Sequence, residues 1–169
     1  MLGPAPIVDF DGTIACLPLA WDDLRAQVGV DRMGQLWESD SPDAWAIVRD
    51  AEIEAARHAT PFEPVRGRLE DSSAFAVLTS NSEKAVALFL HRFAELESRA
   101  AVVVGRETLG GSKHDYEVFR RGFMKCVDAT EAARGQGRLV YAGDSDWELD
   151  FARQLGAETI DVRELSTGS

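Results

Sequence analysis

The sequence is short of cysteine and of long apolar runs. Only two cysteines occur among 169 residues, and Cys16 and Cys126 have neither CxxC spacing nor neighbouring histidines. A disulfide framework and a zinc site are therefore both disfavoured. No run approaches the roughly 20 apolar residues that span a bilayer, and residues 1–5 lack the basic start of a secretory signal. These absences predict a protein of the reducing cytoplasm that does not enter a membrane.

Positive charge is also scarce. The chain has 18 Lys and Arg against 29 Asp and Glu, a formal net charge of −11. Such a chain repels a phosphate backbone or an anionic membrane surface on average, so we expect no nucleic-acid partner. Hydrophobic residues make up 45% of the chain, which is enough for one packed domain with a small insertion. No feature of the sequence specifies an oligomeric state.

Five short apolar runs, each bounded by turn or polar residues, are predicted to be buried strands. They are 6–10, 75–79, 101–104, 139–142 and 159–162. Helix-like segments at 83–93, 115–127 and 147–155 separate the later runs. The alternation predicts an α/β fold, a Rossmann-like doubly wound parallel sheet of about five strands. In such a sheet, sites form beyond the carboxyl ends of the strands.

A long segment between the first and second runs breaks this alternation. We predict that 15–70 is a small helical cap inserted after the first strand, and that 1–14 and 71–169 form the core. Within the segment, Ser41 is placed to cap a helix that begins at Pro42. One face of this helix is apolar, and its charged residues are expected to form a solvated surface. Those charged residues are Arg49, Asp50, Glu52, Glu54 and Arg57.

Two aspartates one residue apart end the first run, in PIVDFDGT at residues 6–13. Carboxylates this close repel each other unless a cation or a proton transfer makes use of both. A calcium loop would need glycine and glutamate where the chain has Ile14 and Ala20. Asp9 and Asp11 are therefore predicted to serve a site that does not bind calcium.

A second acidic group follows the fourth run, in YAGDSDWELD. Asp144 ends the predicted strand, and Glu148 lies one helical turn further on the same side. An ordinary helix start also explains this pattern, since Asp and Ser cap helices and Glu favours the first turn. Combined with the first acidic group, it predicts an oxygen-rich pocket suited to Mg²⁺.

The other strand ends offer a hydroxyl group and a cation. In VLTSNS, Ser80 is the better candidate, because Thr79 belongs to the strand and Ser82 to the cap of the next helix. Lys113 follows a Gly-Gly-Ser turn after the third strand. A lone lysine is usually on the surface, but its position after a strand end suits a cation that balances phosphoryl oxygen charge.

Together these motifs resemble those of the haloacid dehalogenase-like superfamily, over nearly the whole chain. The superfamily's four motifs match DxDGT at 9–13, Ser80-Asn81, Lys113, and GDSDWE at 143–148. The segment GDSDWELDFARQLGA is especially similar to the phosphoglycolate phosphatase-like branch, in which a helical cap follows the first motif. The third motif departs from the branch's Lys-Pro-x-Pro, and Glu148 stands where aspartate is commoner.

The resemblance implies a Mg²⁺-dependent phosphatase that acts on a small phosphorylated metabolite in two steps. Asp9 would attack phosphorus to form an aspartyl-phosphate. Asp11 would protonate the leaving oxygen and then activate water. Ser80 and Lys113 would hold the phosphoryl group.

The resemblance also implies a set of binding positions. Substrate would be contacted by Gly12, Thr13 and Asn81. The metal would be held by Asp9, the backbone carbonyl of Asp11, Asp144 and, directly or through water, Glu148.

Other functions remain open on the sequence alone. A dehalogenase is disfavoured, because that chemistry in the superfamily does not use the second aspartate and Asp11 is present. A phosphomutase or phosphotransferase would pass the phosphoryl group to an acceptor other than water. A non-catalytic phosphate-binding or regulatory module would retain the fold without turnover. A phosphatase assay with Mg²⁺ separates these alternatives.

Overall fold

The protein, seen here in a computed structural model that describes residues 2–39 and 41–166, is built around one parallel sheet. Its five strands lie in the spatial order 100–104, 75–78, 7–8, 140–143 and 158–161. They are β1 (Ile7–Val8), β4 (Phe75–Leu78), β5 (Ala100–Val104), β6 (Val140–Gly143) and β7 (Glu158–Asp161). All four neighbouring pairs are parallel. The predicted sheet is confirmed, and each predicted run contains its strand to within a residue or two.

Helices cover both faces of the sheet. Successive residues of a strand point to opposite faces, and the strand residues are apolar on both, so each face is covered by helices. Ile7 belongs to one apolar cluster, with Phe119 and Leu149, and Val8 belongs to another, with Val86. The core helices are α5 (Glu83–His91), α6 (Ala94–Arg99), α7 (Arg106–Leu109), α8 (Tyr116–Arg134) and α9 (Asp146–Gln154). A 3₁₀ segment, Val162–Ser166, follows β7.

The segment between β1 and β4 is mostly helical. It contains α1 (Trp21–Val28), a 3₁₀ turn (Met33–Gln35), α2 (Leu36–Ser39), α3 (Pro42–His58) and α4 (Glu63–Glu70). Two short strands, β2 (Ala15–Cys16) and β3 (Thr60–Pro61), pair antiparallel near its two ends. The Ser41 hydroxyl accepts a hydrogen bond from the Ala44 amide at 3.3 Å, as the predicted helix cap requires.

One part of the inserted segment packs against itself, and another part packs against the core. Leu24, Leu36 and Val48 belong to a small apolar cluster of its own. The last turns of α3 and the buried face of α4 instead join the core cluster around Val8, through residues that include Ala56 and Leu69. The division at 14/15 and 70/71 stays a prediction, and this packing favours a cap that ends within α3.

The structure also gives the state of the two cysteines and bears on the expected absence of a membrane span. Cys16 is exposed, Cys126 is buried, and both are free thiols. Across residues 2–39 and 41–166, no helix has the length and apolarity needed to cross a bilayer. The cytoplasmic location stays a prediction.

Candidate active site

The carboxyl ends of β1, β4 and β6 meet at a pocket of about 320 Å³. Parallel neighbours end at the same edge of the sheet, so residues distant in sequence converge there. Seven of the predicted site residues line this pocket: Asp9, Asp11, Ser80, Asn81, Lys113, Asp144 and Glu148. Gly12 and Thr13 are not among its lining residues.

Lys113 is buried between two carboxylates. Its ammonium group donates to Asp9 Oδ1 at 2.7 Å and to Glu148 Oε2 at 2.8 Å. Burial disfavours its charged form, but Asp9 and Glu148 outweigh this effect and raise the pKa of Lys113 above its usual value. The lysine lies in the turn before α8, and the Asp115 side chain caps that helix. Lys113 is therefore a fixed cation at the pocket floor.

Glu148 accepts hydrogen bonds on both oxygens. Oε2 accepts from Lys113 and from the Tyr141 hydroxyl at 3.0 Å, and Oε1 accepts from the amides of Asp144 and Ser145 at 3.2 and 3.3 Å. A carboxylate offers about four acceptor positions, so all of them are in use. This bonding favours contact with a metal through water over direct ligation. Tyr141, which the sequence analysis did not single out, helps to hold Glu148.

Three carboxylates lie close enough to bind one metal ion. Oxygens of Asp9, Asp144 and Glu148 all lie within 4.8 Å of one another. Burial raises the pKa of Asp9 to about 7, although Lys113 opposes the shift. Burial and the charge of Glu148 also raise the pKa of Asp144. A hard divalent cation would relieve this repulsion, so the oxygen donor set fits one.

The Asp11 carboxylate has a different environment from that of Asp9. It does not belong to the three-carboxylate cluster. Its Oδ1 accepts from the Leu17 amide at 3.0 Å, and the Trp21 indole lies within hydrogen-bonding reach. Burial raises the pKa of Asp11, with a smaller contribution from Asp144. A raised pKa suits a group that gives up a proton during a reaction.

Gly12 and Thr13 serve the backbone of the loop. Gly12 has φ +80°, and a Cβ there would lie 2.2 Å from Asp144 Oδ2. Only glycine therefore lets the loop pass so close to that carboxylate. Thr13 is fully buried, and its hydroxyl has no hydrogen-bond partner among the described residues. The prediction that these two residues contact substrate rests on the motif alone.

The two residues after β4 differ in availability. Ser80 is exposed and lines the pocket, as a phosphoryl-binding hydroxyl should. Asn81 is buried, and its Oδ1 accepts from the Thr79 hydroxyl at 2.8 Å. Its amide nitrogen donates to Glu52 Oε1 at 3.1 Å. Asn81 therefore shapes the loop, and its contact with substrate stays a prediction.

The prediction that Glu52 lies on a solvated surface is wrong. Glu52 is only 1% exposed and forms a two-bond ion pair with Arg106, at 2.7 and 3.0 Å. It also accepts from the Ser82 amide at 3.0 Å. Glu52 stands four residues after Val48 and three before Ala55, so helical periodicity places it on the buried stripe of α3. That position was the available signal.

The inserted segment supplies the other wall of the pocket. Trp21, Met33, Trp37, Trp45 and Val48 line it. None of these was predicted as a site residue. Five basic residues of the segment do not line the pocket. They are Arg25, Arg32, Arg49, Arg57 and His58.

Comparisons with known proteins agree with this architecture at the level of the fold. No family model matches the chain, and no curated protein sequence matches it. Solved structures do match. CbbY from Rhodobacter sphaeroides superposes with a TM-score of 0.65 at 16% identity, over 94% of this chain and 85% of its own.

Two further structures give the same result. A haloacid dehalogenase-like family hydrolase from Streptococcus pneumoniae has a TM-score of 0.59 at 14% identity, with 94% and 84% of the two chains covered. A subfamily IA hydrolase of the same superfamily from Geobacter sulfurreducens has a TM-score of 0.55 at 18% identity, with 94% and 86% covered. The chain has the fold of the haloacid dehalogenase-like hydrolases.

Proposed function

We propose that this protein is a Mg²⁺-dependent phosphatase that hydrolyses a small phosphorylated metabolite through an aspartyl-phosphate at Asp9. The observation that carries the proposal is the convergence of Asp9, Lys113 and Asp144 in one pocket, with Asp11 and Ser80 also lining it. A buried cation beside a carboxylate nucleophile and a second acidic group is the equipment that phosphoryl transfer needs.

The residues of the chain divide the reaction between them. Lys113 holds Asp9 Oδ1 in place and balances charge on the phosphoryl oxygens. Asp9 forms a bond to phosphorus as the bond to the leaving oxygen breaks, and Asp11 donates a proton to that oxygen. Asp11 then removes a proton from water, which attacks phosphorus, frees Asp9 and releases phosphate. Mg²⁺, held by Asp9 and Asp144 with Glu148 in support, would neutralise phosphoryl charge.

Structural neighbours support a phosphorylated substrate. CbbY from Rhodobacter sphaeroides is described in a complex with phosphate and, as a mutant, in a complex with xylulose-(1,5)bisphosphate. Those ligands belong to that protein. At 16% identity the shared feature is the fold, so those ligands do not identify the leaving group of this chain's substrate.

The proposal is tested by phosphate release from a panel of phosphomonoesters, with EDTA-treated protein assayed before and after MgCl₂ is added. We expect turnover that depends on Mg²⁺ and an acid-stable phosphoprotein signal that is lost in Asp9→Asn. Full turnover in EDTA would contradict the metal assignment. Alcohol product in excess of free phosphate, with an added acceptor, would favour a phosphotransferase, and no turnover on any ester would favour a non-catalytic module.

A further inference from the structure

All four tryptophans of the chain line this single pocket. Trp21 lies on α1, Trp37 on α2, Trp45 on α3 and Trp147 on α9, and each is partly exposed. Three come from the inserted segment and one from the core, so the rings reach the pocket from both parts of the chain. Trp37 and Trp45 also line a neighbouring cavity. Four partly exposed tryptophans around one pocket suit a site for a planar ligand.

Three of the four rings are held in defined pairs. Trp37 and Trp45 have centroids 4.8 Å apart in a tilted arrangement, and His114 stacks on Trp147 at 4.1 Å. Trp147 also packs against Phe119 and Phe151. The Arg106 guanidinium also lies over the Trp45 ring, 4.7 Å from its centroid. These contacts hold the rings in place, and each ring is still partly exposed where it lines the pocket. A ring that is held in place loses little entropy when it binds a ligand.

Among the described residues that line the pocket, no positive charge is free to bind an anionic leaving group. Arg106 is held on two nitrogens by Glu52, and Lys113 is held by Asp9 and Glu148. The third basic residue of the lining is His114, whose pKa is lowered by burial and by Lys113, which disfavours its charged form. Carboxylates are also plentiful in the lining. A leaving group with its own carboxylate or second phosphate would therefore be repelled.

The pocket has limited room, and its aromatic wall adjoins the residue proposed as the acid. Its volume of about 320 Å³ must hold both the phosphoryl group and the leaving group. Small-molecule sites are typically about 300–1,000 Å³, so one ring system is the size that fits. The Trp21 indole lies within hydrogen-bonding reach of Asp11, which places an aromatic ring beside the leaving oxygen.

We propose that the substrate is a phosphomonoester whose leaving group is an uncharged alcohol with one planar aromatic ring system. A nucleoside and a simple aryl alcohol share this chemistry. The proposal rests on the proposed function, because it concerns the leaving group of the same reaction. The tryptophans bind the ring and keep the ester oxygen near Asp11, and the paired cations leave anionic metabolites without a partner.

The first test measures binding of the product alcohols, and so does not depend on turnover. Calorimetric titration of the Mg²⁺-loaded protein compares adenosine with ribose, and benzyl alcohol with cyclohexylmethanol. Ring stacking of about 1–3 kcal/mol predicts that the aromatic member of a pair binds roughly five- to 150-fold more tightly. Preference in the first pair indicates a nucleoside, and in the second pair alone a simple aryl alcohol. Equal affinity within both pairs, or tighter binding of glycolate, would overturn the proposal.

The second test compares kcat/KM for adenosine 5′-monophosphate, phenyl phosphate and 2-phosphoglycolate. Trp37→Leu should lower kcat/KM by about five-fold or more for the ester with the preferred ring and by much less for 2-phosphoglycolate, whereas Trp37→Phe should keep most of the preference. Phe93→Leu is the matched control, because Phe93 is a partly buried aromatic residue that does not line the pocket.

The two proposals fail separately. Ring-selective binding without hydrolysis of any ester would contradict the phosphatase and leave the ring site standing. Efficient hydrolysis of 2-phosphoglycolate, with no effect of Trp37→Leu on any ester, would leave the phosphatase standing and overturn the ring site.

Discussion

The pocket has two walls, one formed by the core and one by the inserted segment, and their side chains differ in chemistry. The core side is charged and tightly hydrogen-bonded, with Lys113 fixed between Asp9 and Glu148 at strand ends in the sheet. The inserted side is aromatic and rests on a small apolar cluster around Leu36 and Val48. The rigid wall is suited to chemistry, which tolerates little misplacement of reacting groups. The aromatic wall is suited to selection among leaving groups.

One ion pair connects the walls. Glu52 of α3 holds Arg106 of α7, and the same carboxylate accepts from the Asn81 side chain and the Ser82 amide. These partners follow Ser80 directly, so the insertion bonds to the loop that would hold the phosphoryl group. If the walls divide the work as described, changes to the core wall should affect every ester, and changes to the insertion should affect affinity and stability.

The largest effect is expected at Asp9. Asp9→Asn should abolish turnover of every ester, because an amide is a poor nucleophile. Asp11→Asn should lower hydrolysis of an alkyl phosphate by about 10²–10⁴ and release at most one p-nitrophenol per enzyme from p-nitrophenyl phosphate. Rapid-mixing absorbance with an acid quench measures both results.

Asp150→Asn is the control for these two variants, because Asp150 is an exposed carboxylate of α9 outside the pocket. It should keep normal activity. If Asp11→Asn still binds Mg²⁺ but loses both ester types equally, without a trapped phosphoprotein, the division of labour between the two aspartates is wrong.

Lys113→Met should have the next largest effect. It removes a fixed cation from the reaction centre, so kcat should fall by about 10²–10³ for aromatic and non-aromatic esters alike. Lys125→Met, which removes an exposed lysine of α8, should change neither kcat nor KM. Steady-state kinetics and circular dichroism on both variants give the answer. A loss of kcat for only one class of ester would show that Lys113 acts in selecting the leaving group, as proposed for the aromatic wall.

Glu52→Gln should weaken the connection between the walls. Loss of one partner from a buried ion pair typically costs about 3–5 kcal/mol, which lowers Tm by roughly 2–4 °C per kcal/mol in a chain of this size. KM should rise more than kcat falls, because the Ser80 loop loses its support. Glu54→Gln, on the exposed face of the same helix, should leave Tm nearly unchanged. Equal Tm values for the two variants would contradict a role for Glu52 in joining the walls.

Alkylation of cysteine is expected to have the smallest effect on activity, because neither cysteine lines the pocket, and its use is to compare the accessibility of the two thiols. Burial raises the pKa of Cys126 to about 12, whereas Cys16 is exposed near the start of the insertion. Iodoacetamide at pH 8 should therefore alkylate Cys16 and spare Cys126 until the protein unfolds. Peptide mass spectrometry over a range of urea concentrations measures this. Labelling of Cys126 in native protein would show that the core around α8 opens without global unfolding.

Much of the core wall could be predicted from the sequence. Buried strands of a parallel sheet are continuous apolar runs, so β4 and β6 stand out, and polar residues that follow them must meet at one edge. Ser80 and Asp144 were placed in this way. Helix α8 extends to Arg134, beyond the predicted end at 127. Residues 128–134 are alanines and polar residues, so no stripe of large apolar side chains indicates these last turns.

The inserted wall could not be predicted to the same depth. A carboxylate such as Glu52 is almost always exposed, and its burial depends on Arg106, 54 residues away. From the sequence, the tryptophans could equally be core residues or pocket-lining residues. Helical periodicity identifies the apolar side of a helix but does not show whether that side contacts the core or a pocket. Motifs predicted chemistry because they constrain residue type at each position. Packing between helices that are distant in sequence does not require a particular residue type at a fixed spacing, so it leaves no motif in the sequence.

The central position of β1 has a consequence for how the chain folds during synthesis. The strand pairs with β4 on one edge and with β6 on the other. At roughly 5–20 residues per second, it waits on the order of ten seconds for β6 to be made. Until then one edge of an apolar strand is open to unwanted pairing. A nascent chain that stops before Val140 should therefore aggregate or engage chaperones, and the site residues can meet only after nearly the whole core has been translated.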